Sequence, residues 1–130
     1  MQAVTTFLMF NGQAEEAMNF YTSLIENSSI VRMNKFGNEG PGKEGTVMHA
    51  IFSLNGTAYM CIDSIAKHDF GFTPSVSIYV TCKSDEEISR LYSNLSGGGQ
   101  VFMELGNYGF STKFGWIQDK FGVSWQLNLP

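Results

Sequence analysis

With 130 residues, 43% of them hydrophobic, the chain has the size of one domain or of two small linked halves. No apolar run approaches the roughly 20 residues of a membrane helix, which excludes a helical membrane protein and predicts a soluble one with no membrane partner. A net charge of -4, a pI near 5.0 and scattered Lys and Arg residues exclude the basic footprint of a nucleic-acid partner.

The N-terminal stretch MQAVTTFLMFNGQ has neither a basic region nor a small-residue cleavage site, so it reads as a first strand, Val4 to Phe10, and implies a cytoplasmic protein. Asn11-Gly12 punctuates it. From Gln13 to Ile25, the residues Ala14, Ala17, Met18, Tyr21, Leu24 and Ile25 recur at helical spacing and predict an amphipathic helix. Strand-like runs follow near 28–36, 46–54 and 57–63, the first two separated by the glycine-rich FGNEGPGKEG and the last two by Asn55-Gly56. The glycine-rich loop is not a phosphate loop, because G-x-x-x-x-G-K-[ST] is absent and no helix follows it.

The first half, about 1–64, is therefore β-α-β-β-β, and a linker over 65–74 leads to a second pass, about 75–130, through the same order. Ser75 to Cys82 reads as a strand. Ser84 and Glu87 have capping-box spacing, and Ile88, Leu91, Tyr92 and Leu95 give the helix its buried stripe before Gly97 to Gly99 ends it. Strands near 100–106, 113–119 and 123–129 complete the module. Adding seventy to Met18, Tyr21 and Ile25 gives Ile88, Leu91 and Leu95, which suggests a duplication. Each such sheet has one face under its helix and the other bare, so the bare faces are where a ligand cavity is expected.

Cys61 and Cys82 form no C-x-x-C pair, so a disulfide framework or zinc knuckle is not expected. His68 stands in the linker beside Lys67 and Asp69 and reads as a solvent histidine.

The segments NGQAEEAMNFY, TVMHAIFSLNGTAYMCIDS and KFGWIQDKFGVSWQLNL resemble the PhnB-like branch of the vicinal oxygen chelate superfamily, also described as 3-demethylubiquinone methyltransferase-like. The superfamily includes glyoxalase I, extradiol dioxygenases, and bleomycin- and fosfomycin-resistance proteins. The resemblance covers nearly the whole chain and implies an α+β fold of two βαβββ modules forming a single domain over 1–130. It also implies a homodimer. Metal-dependent members carry His, Glu or Gln ligands on the first and last strands of each module, and the corresponding positions here are Thr6, Cys61 or its neighbour Met60, Ser75 and Gln126. Thr, Ser and Gln supply no charge or imidazole, so no metal and no cofactor is expected.

Alternation along the strands assigns faces. Phe7 and Met9 are predicted under the first helix, leaving Thr6, Leu8 and Phe10 toward the cavity. Val76, Ile78 and Val80 take the helix side of the fifth strand, leaving Ser75, Ser77 and Tyr79. In the last strand Ser124, Gln126 and Asn128 face the cavity, and Trp116 and Gln118 enter it from the strand before. The Asn55-Gly56 connection leaves two registers open. A two-residue turn puts His49 on one face with Met60 and Ile62, and a three-residue loop, the one favoured, puts it with Cys61 and Asp63.

His49 is the candidate acid or base, set against a packing role. A Cys61–His49 thiolate pair has no orienting third group, and Asp63 is either a contact for a cationic ligand or a turn former. Trp116 and Gln118 suit a planar or polar molecule. The expected function is binding of a small organic molecule in an aromatic cavity without a catalytic metal. The alternatives are a metal-dependent glyoxalase- or dioxygenase-like enzyme and a pure interaction module.

Overall fold

Residues 1–130, described in a computed structural model, divide into two compact units, Met1–Lys67 and His68–Pro130. In the first, β1 (Thr6–Phe10) turns through Asn11 and Gly12 into α1 (Ala14–Leu24), and β2 (Ser29–Lys35), β3 (Val47–Leu54) and β4 (Thr57–Asp63) follow. The sheet order is β1-β4-β3-β2, with β1 parallel to β4 and the other two pairs antiparallel. α1 buries Ala14, Ala17, Met18, Tyr21 and Leu24, and the Tyr21 ring meets that of Phe52 at 6.4 Å. That contact identifies the helix side of the sheet. Ala50, Phe52 and Leu54 are buried there, and register places Cys61 and Leu8 on the same side.

The second unit repeats the plan: β5 (Ser77–Thr81), α2 (Asp85–Ser96), β6 (Gln100–Gly106), β7 (Lys113–Gln118) and β8 (Ser124–Leu129), in the sheet order β5-β8-β7-β6. Ser84 caps α2 by accepting from the Glu87 N–H at 3.1 Å, while the Glu87 carboxylate reaches back to the Lys83 N–H. Ile88, Leu91 and Leu95 are buried against the sheet, as the periodicity predicts. Gly115 marks the helix side, because a Cβ there would stand 3.1 Å from the Tyr92 ring. Ile117, Trp125 and Leu127 share that side and are fully buried.

Every predicted strand and helix is present, with ends moved by at most two residues. The duplication is also visible in the identical strand orders. Ile25 departs from the seventy-residue correspondence, since it lies past the end of α1 and only Leu24 completes the buried stripe. No helix is long and apolar enough to cross a membrane.

Candidate functional site

A connected row of polar side chains crosses the face of the second sheet opposite α2. The Trp116 indole N–H donates to Ser124 Oγ at 2.8 Å, Ser124 Oγ and Ser77 Oγ share a hydrogen bond of 2.7 Å, and Gln126 Nε2 donates to Ser77 Oγ at 3.2 Å. The backbone register builds this row. Trp116 pairs with Gln126 and Gln118 with Ser124 across β7 and β8, while Ser77 pairs with Ser124 and Tyr79 with Gln126 across β5 and β8. Each of these residues is one step out of phase with the buried Ile117, Trp125 and Leu127, so alternation puts them on the far face. Ser77, Trp116, Gln118 and Gln126 lie on the face that the sequence pattern predicts.

Two further residues complete the face. Phe114 pairs with Asn128, and its ring takes the edge of Phe110 at 5.1 Å. Asn128 Oδ1 is buried and accepts no hydrogen bond. The three strands β5, β7 and β8 place no ionised residue at these far-face positions. Lys113 sits at the start of β7, on the helix side, and its ammonium is paired with Asp85.

Several expectations for the first module are corrected. Leu8 lies under α1 with Phe10, and Phe7 instead stands away from the helix, half exposed. Thr6 belongs to the helix-side set of positions but is exposed at the strand's start. Periodicity failed because TFLMF is apolar at four successive positions. Asn55 and Gly56 form a two-residue turn with positive φ of 47° and 88°, so Leu54 pairs with Thr57 and the three-residue loop is not formed. His49 therefore shares the far face with Ile51, Met60 and Ile62, and Cys61 points the other way. A Cys61–His49 pair cannot assemble across the sheet. Burial and the neighbouring Asp63 carboxylate push the Cys61 thiol up to about 12, which also opposes a thiolate.

Asp63 is a structural residue. Its Oδ1 accepts the N–H groups of Gly12 and Ala14 at 2.8 and 3.0 Å, and its Oδ2 accepts that of Val47 at 2.8 Å. This carboxylate replaces the side-chain cap that Gln13 does not supply to α1. Ser75 also departs from expectation: β5 begins at Ser77, and the Ser75 hydroxyl bonds Thr73 at 2.8 Å in the preceding turn.

A transition-metal centre requires donors that these positions do not offer. Cys61 is turned to the helix with its thiol pushed up to about 12, its neighbour Met60 on the far face offers only a thioether, Ser75 lies in a turn, and Thr6 and Gln126 are neutral. No group of three His, Cys, Asp or Glu side chains converges anywhere in the chain. The residues present do not fit a transition-metal centre.

Sequence reasoning missed Ser124 as the hub of the polar row and Asn128 as its unpaired member, although alternation placed both on the correct face. It also missed Asp119, buried in the β7–β8 turn, where it accepts the N–H groups of Phe121 and Val123 and the Trp125 indole N–H. An acidic residue before a glycine turn is a weak signal for such a clasp.

Two βαβββ modules with parallel outer pairs define a vicinal oxygen chelate fold of the glyoxalase/bleomycin resistance type. A domain of that description from Frankia sp. superposes with a TM-score of 0.67 at 12% identity, covering 99% of this chain and 97% of that one, which speaks to the fold alone. Residues 2–128 match the family model described as 3-demethylubiquinone-9 3-methyltransferase, and the chain belongs to that family, the PhnB-like branch of the superfamily. The chain is 58% identical to the PhnB protein from Bacillus cereus, with a TM-score of 0.97 over 99% of this chain and 100% of that one. A protein from Pseudomonas aeruginosa is 30% identical, with a TM-score of 0.86 over 99% and 98% of the two chains.

Proposed function

We propose that the protein binds a small organic molecule against the far face of the second module's sheet, without a catalytic metal. The observation that carries this reading is the row Trp116–Ser124–Ser77–Gln126, a built polar line with an aromatic wall in a sheet whose other face is apolar. Such a mixture of aromatic surface and few placed polar groups is the usual composition of a small-molecule site.

Methyl transfer, named in the family's description, is not part of the proposal. A nucleotide-like donor is commonly held by the free N–H groups of a helix that follows the first strand. Here those of Gly12 and Ala14 are already bonded to Asp63. The two modules act as one functional domain in this reading, and the protein is a cytoplasmic homodimer, a state that light scattering measures directly.

Thermal-shift screening with small aromatic and cationic compounds tests the binding reading, which predicts stabilisation by a subset of them. No stabilisation by any compound would defeat it. Metal analysis of protein purified without chelator tests the other half: a stoichiometric transition metal that tracks binding or turnover would overturn the metal-free reading.

A further inference from the structure

The unpaired acceptor on β8 narrows the chemistry of the ligand. Native structures rarely leave a buried polar atom without a partner, because its lost hydration is not returned. Asn128 Oδ1 is such an atom, and it stands on the same face as the polar row, two residues beyond Gln126. Residues two apart on a strand lie roughly 6.5 Å apart on one face, a distance that a single ring with a substituent spans. Across the β7–β8 ladder each amide has an aromatic neighbour, Phe114 beside Asn128 and Trp116 beside Gln126. Gln126 holds its amide in place by donating one of its two Nε2 hydrogens to Ser77, and its carbonyl oxygen stands beside the bond as an acceptor.

At its Gln126–Asn128 end, the β7–β8 part of this face thus combines two amides and two rings with no fixed cation. An anion brought there would lose hydration beside an unpaired carbonyl oxygen, with no charged partner to replace the lost water. A group bearing N–H or O–H bonds would complete Asn128, and a cation would add attraction to the rings.

We propose that the ligand is a flat, uncharged or cationic molecule that donates an N–H or O–H to Asn128 Oδ1, and that carboxylates and other anions are rejected. This inference rests on the binding reading above and specifies the chemistry of that site.

Four probes built on one phenyl ring separate the alternatives: benzamide, benzamidine, the bulkier N,N-dimethylbenzamide, which lacks N–H, and benzoate. Titration of the intact protein, followed by calorimetry or amide chemical shifts, is expected to show benzamide and benzamidine binding at least about tenfold more tightly than the other two, the difference of one satisfied buried acceptor. In Asn128→Leu that discrimination should collapse. The variant should also melt higher than the wild type without ligand, since an unpaired polar atom is replaced by an apolar group of similar size.

Dimethylbenzamide or benzoate binding as well as benzamide would overturn the donor inference while leaving the binding reading in place. Lower ligand-free stability in Asn128→Leu, with discrimination unchanged, would assign the amide a structural role and also overturn it. Failure of all four probes to bind, with stabilisation by other compounds in the wider screen, would overturn the inference alone, and failure of the whole screen would defeat the binding reading with it.

Discussion

The carboxylate of Asp63 and the N–H of Ala14 lie 3.0 Å apart, joining the end of the first module's last strand to the start of its helix across 49 residues. The same side chain also holds Gly12 and Val47, so β1, α1, β3 and β4 meet at one buried anion. Asp63→Ala leaves three N–H groups without their acceptor and uncaps α1. The expected loss is about 3 kcal/mol of unfolding free energy, from charge-assisted hydrogen bonds together with the cap. Asp63→Asn, with one acceptor oxygen in place of two, should fall between it and wild type. Urea denaturation of the two variants measures both values, and a loss below about 1 kcal/mol in Asp63→Ala would contradict the structural role.

Ser124 is the hub of the second module's polar row, and Ser124→Ala removes the acceptor of the Trp116 indole and the partner of Ser77 together. Leaving a half-buried indole N–H unpaired should cost about 1–3 kcal/mol. Trp125 provides an internal control, because its indole is bonded to Asp119 on the other side of the sheet. Fluorescence should therefore show a change confined to one of the two tryptophans, resolved by repeating the substitution in a Trp125→Phe background.

The two cysteines predict an alkaline limit to stability. Burial and then Asp63 push Cys61 up to about 12, and Cys82 rises to about 11 through burial and Glu87, opposed by Arg90. Both thiols start from an ordinary value of 9.0. Above that pH the unfolded chain releases protons that the folded chain retains, so unfolding becomes more favourable as pH rises. The cysteine contribution is present in full below pH 9.0 and is lost on the way to about 12. A Cys61→Ala/Cys82→Ala variant should show a shallower decline of stability over that range. At about pH 8, alkylation should modify neither cysteine in the folded protein and both in urea.

How far the fold could be read from the chain depends on how each strand meets its helix. Lone apolar positions between polar ones, as in β8, set the face of Gln126 and Asn128 correctly, and the capping spacing at Ser84 located α2. β1 is apolar at Phe7, Leu8, Met9 and Phe10 alike, so its pattern carried no face information, and only pairing of Leu8 with Cys61 decides it. The β3–β4 register turned on whether Thr57 lies in the loop or in the strand, a matter of backbone dihedrals at Asn55 and Gly56. The roles of Asp63 and Asp119 were hidden for a different reason. Their partners are backbone N–H groups, which every residue possesses and no side-chain pattern reveals.

Gln126 permits a separation of binding from folding. Its bond to Ser77 is 3.2 Å long and joins neutral groups on a half-buried side chain, so Gln126→Leu should cost less than about 1 kcal/mol in folding stability. The same substitution removes a carbonyl oxygen that we place against the ligand and puts a branched alkyl group beside Trp116. Stabilisation by benzamide in a thermal-shift titration should then fall by more than the ligand-free melting temperature does. Because Trp116 donates to Ser124 and not to Gln126, its bond should survive, and the fluorescence of the folded variant should stay close to wild type. Equal losses in folding and in ligand stabilisation would show that Gln126 serves only the sheet, and the site would then have to be sought away from β8.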